Sequence, residues 1–513
     1  MLLCRSSQIE SSVDCILLPP VTIRNNLVRL HRWIGVCLCV PFLAWFLSGM
    51  VLMYFDYPGV SEQSRLDHLA PLEKNTVHIS PAVAAVRAGI SQPDEARLSS
   101  ILSRPVYRFR SADRIAVVYA DSGEVFHGFE ERQARQVGAA WTHLRPEDAK
   151  LETRQIQEDD QWTVQHHYRM YRPLWKFSWP DGEEAYVSDT SGEVVQYTTR
   201  RSRLGAYLGA IPHWIYITQL RRKAAAWSRL VITISGAGTI ATFLGLLIGI
   251  WTYSPTKRYC FRGSPAHIPY SGQMRWHMVL GLTFGFVTFT WILSGMLSMD
   301  PIRWPENVVE EKLEKQLIGA NWTGNDFVDV TSAMSELQEH LRLHELVLTY
   351  LAGKPTYVAL KAPAETSILF EKGSVQTLLD EETLKSLVAQ AARPYSIIES
   401  RLITRYDAYY FDRNNQLRLP ALFLRLNDPQ QSILYMDLYR GRVARSYGRC
   451  ERLNRWLYQG LHDFDLPWLY GHRPLWDIIV IFCLSGGVWL CSTAIIIASR
   501  RVRMAISSTG VDG

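Results

Sequence analysis

Four long apolar segments constrain this chain more than any other feature of its sequence. They are nearly free of charged side chains, although the chain as a whole is 20% charged. At about 1.5 Å per residue, segments of this length span about 30 Å of hydrocarbon. We therefore predict an integral membrane α-helical protein with four transmembrane helices, at residues 33–55, 227–253, 276–299 and 475–498.

The basic residues near the helix ends predict the orientation of these helices. Ten of them, against one acidic residue, flank the helices on the side of the termini and the short loop, although Arg221, Arg222 and Lys223 lie on the opposite side. Because cytoplasmic loops are enriched in Lys and Arg, we expect both termini in the cytoplasm, with the first helix as an uncleaved anchor. The remaining segments are then a cytoplasmic N-terminal segment 1–32, a cytoplasmic loop 254–275, a cytoplasmic tail 499–513, and two outer domains at 56–226 and 300–474.

The first and third apolar segments share a motif. HRWIGVCLCVPFLAWFLSGM (31–50) and HMVLGLTFGFVTFTWILSGM (277–296) align without a gap and agree at seven of twenty positions. In the outer domains, AYVSDTSGEVV (185–195) similarly resembles LYMDLYRGRVA (434–444). The sequence thus predicts two tandem repeats of helix, outer domain, helix. We interpret the serine and glycine of SGM as small residues that let helices approach closely.

Both outer segments have the pattern of small α+β units. Alternating apolar residues between turn residues predict hairpins, for example around RPVYRFRS and RIAVVYADSGEVF, and helices are expected near 80–90 and 331–348. Of the eight cysteines only Cys450 falls in an outer segment, which excludes a disulfide framework there. There is no CxxC motif, and no glycine fingerprint for a flavin or nicotinamide domain on the cytoplasmic side.

His31 and His277 are the first candidate ligands. Each begins its copy of the repeated motif, four residues before Gly35 or Gly281, so parallel helices would place both imidazoles at one membrane depth. Two such imidazoles can hold a haem iron, with the glycines leaving space for a flat macrocycle. The alternative is a pair of boundary residues that prefer the membrane interface.

His213 and His462 form a second candidate pair at the outer side. They do not align within the repeat, since His213 matches Arg455 and His462 matches Leu220. Their comparable heights still allow a second bis-histidine haem.

Two further groups of polar residues allow more than one interpretation. His340 and His344, four apart in an expected helix, could clamp a metal, but no third ligand is apparent. An outer basic cluster could attract an anionic chelate or simply be a solvated patch. It consists of Arg200, Arg201, Arg203, Arg221, Arg222 and Lys223.

Together these motifs resemble the PepSY-associated transmembrane family over residues 24–503. The resemblance is carried by LHRWIG with LSGM, IPHWIY, RWHMVLG with LSGM, and RWLYQGLHDFDLPWLY followed by HRPLWD. It implies two PepSY-like outer domains and a location in the bacterial inner membrane. The chain also resembles haem-containing inner-membrane ferric-siderophore reductases. His31 and His277 would then ligate an inner haem b, and His213 and His462 an outer one. The implied partners are membrane lipid, a ferric siderophore or similar chelate, and a quinol or cytoplasmic reductase as electron donor; no nucleic acid is expected.

A different class of function fits the same chain. A non-enzymatic PepSY membrane protein would bind peptides or regulate a protease through its outer domains, and its histidines would be structural. A transporter is a weaker interpretation, because the apolar segments lack the discontinuous polar helices of such sites.

Overall fold

The computed structural model describes residues 21–112, 114–157, 159–302, 308–327, 329–362, 365–370, 375–412 and 417–509. Most of the expected cytoplasmic N-terminal segment and the end of the tail lie outside the described residues. The chain divides into two compact units. The membrane unit comprises Met1–Asp56, Leu204–Arg303 and Asn454–Gly513, and the sheet unit comprises Tyr57–Arg203 and Trp304–Leu453.

The described helices differ widely in length. In chain order they are α1 Val21–Leu52, α2 Glu62–Asp67, α3 Pro81–Ala88, α4 Glu131–Ala139, α5 Arg200–Leu208, α6 Ala210–Trp214, α7 Thr218–Arg221, α8 Ala224–Thr252, α9 Gly272–Leu297, α10 Val308–Ile318, α11 Val330–Gln338, α12 Glu381–Ala391, α13 Arg449–Arg455, α14 Pro467–Tyr470 and α15 Leu475–Thr509. A π-helical turn, Trp456–Gly460, follows α13.

The four longest helices, α1, α8, α9 and α15, are each long and apolar enough to cross a membrane. This agrees with the number of spans that the sequence predicts. Helices α1 and α15 run further on the polar side than their apolar segments, from Val21 and to Thr509. Arg side chains there end the hydropathy signal, but Arg is a good helix former and does not end the helix.

The four helices pack as a closed bundle. Helix α1 contacts α8 and α15, and α9 contacts the same two helices, so α1 and α9 occupy opposite corners. Glycines on α8 and α15 receive aromatic rings of α1. A Cβ atom at Gly238 would lie 2.4 Å from Phe42, and one at Gly487 would lie 2.4 Å from Phe46. These close contacts fix the helices against one another.

The described strands form three sheets in the sheet unit and a small hairpin in the membrane unit. They are β1 Glu95–Ile101, β2 Arg104–Ser111, β3 Arg114–Tyr119, β4 Lys150–Gln155, β5 Leu174–Ser178, β6 Glu184–Ser188, β7 Val194–Thr198, β8 Tyr259–Phe261, β9 Ser264–Ala266, β10 Glu345–Leu351, β11 Lys354–Ala362, β12 Glu365–Phe370, β13 Val375–Gln376, β14 Ile397–Ile403, β15 Ala421–Leu426, β16 Ile433–Asp437 and β17 Arg442–Tyr447. The hairpin predicted around RPVYRFRS and RIAVVYADSGEVF coincides with β2–β3.

The largest sheet takes strands from both outer segments. Its order is β13-β12-β11-β10-β1-β2-β3, and β1 pairs antiparallel with β10, with Ala96 opposite Leu348 and Leu98 opposite Leu346. The sequence divides these segments into two domains, whereas the structure joins them through backbone hydrogen bonds. Pairing between strands so far apart in the chain leaves no local sequence pattern.

A buried ion network lies where β1 meets β10. Arg65 donates two hydrogen bonds to Glu345, at 2.6 and 2.8 Å, and Arg97 donates a third at 3.2 Å. Burial alone would raise the pKa of Glu345, but the charges of Arg65 and Arg97 lower it to about 2. The carboxylate therefore stays ionised and holds segments from both halves of the chain.

Each outer segment also forms a four-stranded sheet of its own, β4–β7 and β14–β17, each in sequential order. In the second, Leu422 and Leu424 pack with residues of α10 and α12. The helix expected at 331–348 is shorter, because α11 ends at Gln338 and the alternating residues 345–351 form β10. In residues 345–351 the alternation of buried and less buried side chains is that of a strand, so the helix predicted there does not form.

Candidate functional site

His31 of α1 and His277 of α9 face each other across the bundle. Their ring centroids lie 6.4 Å apart, with an angle of 43° between the ring planes. Because α1 and α9 stand at opposite corners, each side chain enters the space between α8 and α15. The structure therefore brings together the two histidines that the repeated motif aligns.

Hydrogen bonds orient both rings of this inner pair. Nδ1 of His31 lies 2.8 Å from the carbonyl oxygen of Ala241, which can only accept, so this Nδ1 carries the proton. Nδ1 of His277 lies 3.1 Å from Oγ1 of Thr493, whose own proton goes to the carbonyl of Leu490 at 2.7 Å. Thr493 must therefore accept from Nδ1–H. Each neutral imidazole is left with its lone pair on Nε2, ready for a metal.

A cavity of about 210 Å³ adjoins both rings of the inner pair. Gly35 and Gly281 line it, and a Cβ atom at Gly35 would meet nothing within 4 Å, while one at Gly281 would meet only Leu490 at 3.9 Å. Gly245 is tighter, since a Cβ atom there would lie 2.8 Å from Cε1 of His31. The glycines thus leave open space on two sides and room for the His31 ring on a third.

Two arginines, Arg32 and Arg501, also line this cavity. Neither guanidinium has a carboxylate partner among the described residues. An apolar cavity with two unneutralised cations favours an anionic ligand.

His213 and His462 form an outer pair. Their ring centroids lie 5.9 Å apart, with the planes at 69°. His213 comes from the short helix α6, which ends at Ile215 in the left-handed conformation. His462 follows the π-helical turn, a feature often found at functional sites because it changes the phase of the helix.

The first copy of the repeated motif holds His213. Nδ1 of His213 lies 3.1 Å from the carbonyl oxygen of Trp45 and 3.2 Å from Oγ of Ser48. Since the carbonyl only accepts, Nδ1 carries the proton and Nε2 the lone pair. Burial lowers the pKa of His213 to about 3, so the ring is neutral at neutral pH.

The second copy holds His462 in the same way. Nδ1 of His462 lies 3.1 Å from the carbonyl oxygen of Trp291 and 3.1 Å from Oγ of Ser294. The glycine of each motif also touches a ring, since a Cβ atom at Gly295 would lie 3.3 Å from Cε1 of His462. The interpretation of SGM as packing alone is therefore incomplete. Its serine contacts the outer histidine, which sequence reasoning missed.

The spacing of both pairs suits a shared metal ion. A metal–imidazole bond is about 2 Å long and the ring centroid lies roughly 1 Å behind the nitrogen, so two rings on one ion have centroids about 6 Å apart. The observed separations are 6.4 and 5.9 Å. Both separations are close to this value.

The two pairs are stacked along the same bundle. In each motif, 17 residues separate the inner histidine from the serine beside the outer one, His31 from Ser48 and His277 from Ser294. At 1.5 Å per residue this corresponds to about 25 Å along the helix axis. The sites thus lie near opposite ends of membrane-spanning helices that run in the same direction.

The other candidate residues do not converge. His340 lies beyond the end of α11 and His344 lies just before β10, where its Nδ1 is 3.0 Å from the carbonyl of Leu66. The described residues contain no group of three or more His, Cys, Asp or Glu that could hold a metal ion. A haem iron needs only two protein ligands.

The basic cluster is divided between the units. In the sheet unit, Arg203 donates to the carbonyl of Gly182 at 2.7 Å. In the membrane unit, Arg221 stacks on Trp227, with its guanidinium carbon 4.6 Å from the ring centroid. These arginines serve local packing.

Comparison with known proteins supports the membrane assignment. The model of a family described as the PepSY-associated TM region matches residues 28–345, which include His31, His213 and His277 and end before His462. Among curated proteins no match is found. With four apolar helices and a match over more than half its length, this chain is a multi-pass membrane protein of the PepSY-associated TM region family.

Proposed function

We propose that this protein is a haem b-containing inner-membrane reductase that moves electrons across the membrane to a ferric siderophore or similar ferric complex, for iron release. The observation that carries the proposal is the stacking of two facing histidine pairs in one bundle, each with both Nδ1 atoms engaged and both Nε2 atoms carrying the lone pair.

In this proposal His31 and His277 hold the iron of an inner haem b, and His213 and His462 hold that of an outer one. A bound haem supplies reversible one-electron transfer at its iron. The protein supplies ring orientation. Hydrogen bonds to Nδ1–H fix each imidazole and raise its basicity, as acceptors behind a ligand histidine generally do.

The residues around the inner pair fit such a macrocycle. The open space beside Gly35 and Gly281 adjoins both rings. The free cations of Arg32 and Arg501 suit the carboxylates of haem, since guanidinium groups pair well with carboxylates.

A buried indole N–H near the outer pair also supports a bound ligand. Nε1 of Trp291 is buried without an acceptor among the described residues, although the carbonyl of the same residue holds His462. An orphaned buried donor is costly unless a bound group satisfies it. An anionic or carbonyl-bearing cofactor would provide that acceptor.

The proposed direction of electron flow follows from charge and chemistry. In this proposal both termini lie in the cytoplasm and the sheets are PepSY-like domains outside, in line with the distribution of basic residues. The two halves are tandem repeats, in line with the repeated motifs. A quinol or a cytoplasmic reductase would donate electrons. Hard oxygen ligands hold Fe(III) more tightly than Fe(II), so reduction of a ferric chelate releases its iron.

An absorption spectrum of the purified protein tests the cofactor. We expect a Soret band, and sharp α and β bands after reduction with dithionite. A colourless protein after haem-supplemented expression would contradict the proposal and favour the non-enzymatic, peptide-binding or protease-regulating alternative.

A second measurement tests the acceptor. Mixing the dithionite-reduced protein, freed of excess reductant, with a ferric siderophore should restore the oxidised spectrum and produce Fe(II) trapped by ferrozine. Bound haem that the ferric complex fails to oxidise would refute the reductase assignment and leave only an electron carrier.

A further inference from the structure

The second four-stranded sheet carries a cavity of about 450 Å³ within the sheet unit. Its floor is apolar and aromatic, formed by Phe423 of β15 and by Ile433 and Tyr435 of β16, all buried. Ala408 and Tyr409 form a wall on the loop after β14. A volume of this size is typical of small-molecule sites.

The wall of this cavity is held in place by one carboxylate. Oδ1 of Asp407 accepts hydrogen bonds from the backbone N–H groups of Tyr409, at 2.9 Å, and Tyr410, at 2.8 Å. The hydroxyl of Tyr435 donates to both oxygens of Asp407 at 2.9 Å. Asp407 is therefore occupied in fixing the loop against the sheet, and the cavity is preformed.

Three arginines surround the cavity, and two of them already have acidic neighbours. Arg401 pairs with Asp407 at 3.2 Å and stacks over the ring of Phe423 at 4.3 Å. Arg425 pairs with Glu399 at 2.9 Å. Both side chains remain nearly half exposed, so their charge is available to a ligand.

The third arginine is not neutralised. Arg452 donates to the carbonyl oxygens of Gln431, at 2.7 Å, and Tyr447, at 3.2 Å, and it has no carboxylate partner among the described residues. Three guanidinium groups thus meet two carboxylates, Asp407 and Glu399. The carbonyls hold the Arg452 head group at the cavity without cancelling its charge.

The first four-stranded sheet has a related arrangement in which side chains of the protein itself form the ion pairs. There Tyr186 donates to Asp160, which caps the backbone of Trp162. Lys176, opposite Tyr186 in the sheet, bridges Asp160 and Glu184 at 3.2 Å each.

In the second sheet the residue opposite Tyr435 is Phe423, and the residue two before Tyr435 is Ile433. They stand where the first sheet has Lys176 and Glu184. The internal ion pair is thus replaced by an apolar floor, while arginines remain at the edge. A surface of this kind is complementary to a ligand that brings its own negative charge and a flat apolar face.

We infer that this cavity binds a small aromatic anion of the hydroxybenzoate class. The carboxylate or phenolate oxygens pair with Arg425 and Arg452, and the ring lies against Phe423 and the Tyr409 wall. The site is independent of the histidine pairs and does not rest on haem binding.

Titration calorimetry on the purified full-length protein in detergent tests the site with three probes. We expect 2,3-dihydroxybenzoate to bind, citrate to bind about tenfold more weakly because it lacks a ring, and neutral benzamide to show no heat of binding. No binding of 2,3-dihydroxybenzoate would overturn the inference, and equal affinity for citrate would overturn the aromatic part of it.

Matched arginine variants locate the site. Arg425→Gln and Arg452→Gln should each weaken binding of 2,3-dihydroxybenzoate about tenfold or more, since each removes a charge-assisted hydrogen bond. Arg449→Gln is the control, because Arg449 is exposed on the same helix as Arg452 and does not line the cavity. Arg425 projects from the sheet surface, so its variant keeps the fold even if loss of Arg452 loosens the loop. Unchanged binding in Arg425→Gln, or equal loss in Arg449→Gln, would refute the assignment.

Discussion

The inner and outer histidine pairs are alike in spacing and differ in how the chain builds them. The inner histidines occupy equivalent positions of one repeated motif, but their Nδ1 atoms have different partners, the carbonyl of Ala241 and the hydroxyl of Thr493. The outer histidines occupy non-equivalent positions, yet each meets the same Trp carbonyl and Ser hydroxyl of its motif. Histidines at equivalent sequence positions can therefore have different hydrogen-bond partners, and histidines at non-equivalent positions can have the same kinds of partner.

That difference shows where the repeated motif acts. Each copy of the motif contributes a histidine at one end. At the other end it contributes a carbonyl and a hydroxyl that hydrogen-bond to an outer histidine. Among the described residues, the hydrogen-bond partner of the His31 ring is the carbonyl of Ala241, whereas each outer ring has a carbonyl and a hydroxyl as partners. We therefore expect the inner site to be more sensitive to single substitutions in its surroundings.

The largest effect should come from the ligands themselves. His31→Ala or His277→Ala should lower the haem content from about two to about one per chain by removing an axial ligand, as should His213→Ala or His462→Ala. The pyridine haemochrome assay measures this content. His267→Ala is the control, because His267 also bonds a carbonyl through Nδ1, that of Ser254 at 2.7 Å, but faces no second histidine. Unchanged content in His277→Ala would refute the inner site.

The next effect distinguishes the two sites by their glycines. In Gly245→Ala the new methyl group would lie 2.8 Å from His31, so the ring or helix must shift, at a cost of about 1–3 kcal/mol. In Gly49→Ala it would lie 3.6 Å from His213, an ordinary contact. We expect Gly245→Ala to lose the inner haem and Gly49→Ala to keep the outer one, as counted by haem content in His213→Ala and His31→Ala backgrounds. Equal tolerance at both positions would contradict this difference.

A smaller effect should follow removal of the hydroxyl acceptor at His277. Thr493→Val keeps the shape of the side chain and removes the oxygen that accepts from Nδ1–H. Haem affinity at the inner site should fall about 10-fold to 100-fold, as for other groups behind ligand histidines. Competition with apomyoglobin measures this affinity. Thr493→Ser, which restores the hydroxyl, should behave like the parent protein; if it also loses affinity, packing and not the hydrogen bond is responsible.

The smallest effect should appear at the outer serines. Ser48→Ala and Ser294→Ala leave Nδ1–H bonded to the carbonyl of Trp45 or Trp291, so haem affinity should fall by about 10-fold at most. Loss of one acceptor makes the ligand less basic, which raises the midpoint potential of the outer site and leaves the inner site unchanged. Potentiometric titration separates the two. A larger loss than in Thr493→Val would reverse the proposed order of sensitivity.

The apolar segments and the inner pair could be predicted because their signals are local. Hydropathy and length locate the four helices, although not their polar ends. The constant spacing from histidine to LSGM brings His31 and His277 together once α1 and α9 run in the same direction. The alternating residues of β2 and β3 mark strands in the same way.

Comparable heights in the sequence predicted that His213 and His462 would pair, but the contacts of this pair and the central sheet depend on structure that local patterns do not encode. The position of His462 follows from a π-helical turn, and that of His213 from the end of α6, so neither aligns with the other in sequence. Likewise nothing near Leu98 indicates that its partner is Leu346. For His344 the competing strand pattern of β10 was stronger than the expected helix.

The pairing of β1 with β10 has a consequence for how the protein is made. β10 begins 250 residues after β1, counting from Glu95 to Glu345. At a synthesis rate of about 5–20 residues per second, the β1 edge waits about 12–50 s for its neighbour. An unpaired strand edge readily joins another chain. The nascent first half therefore depends on protection, by a chaperone or by the membrane insertion machinery, until the ribosome has delivered the second half.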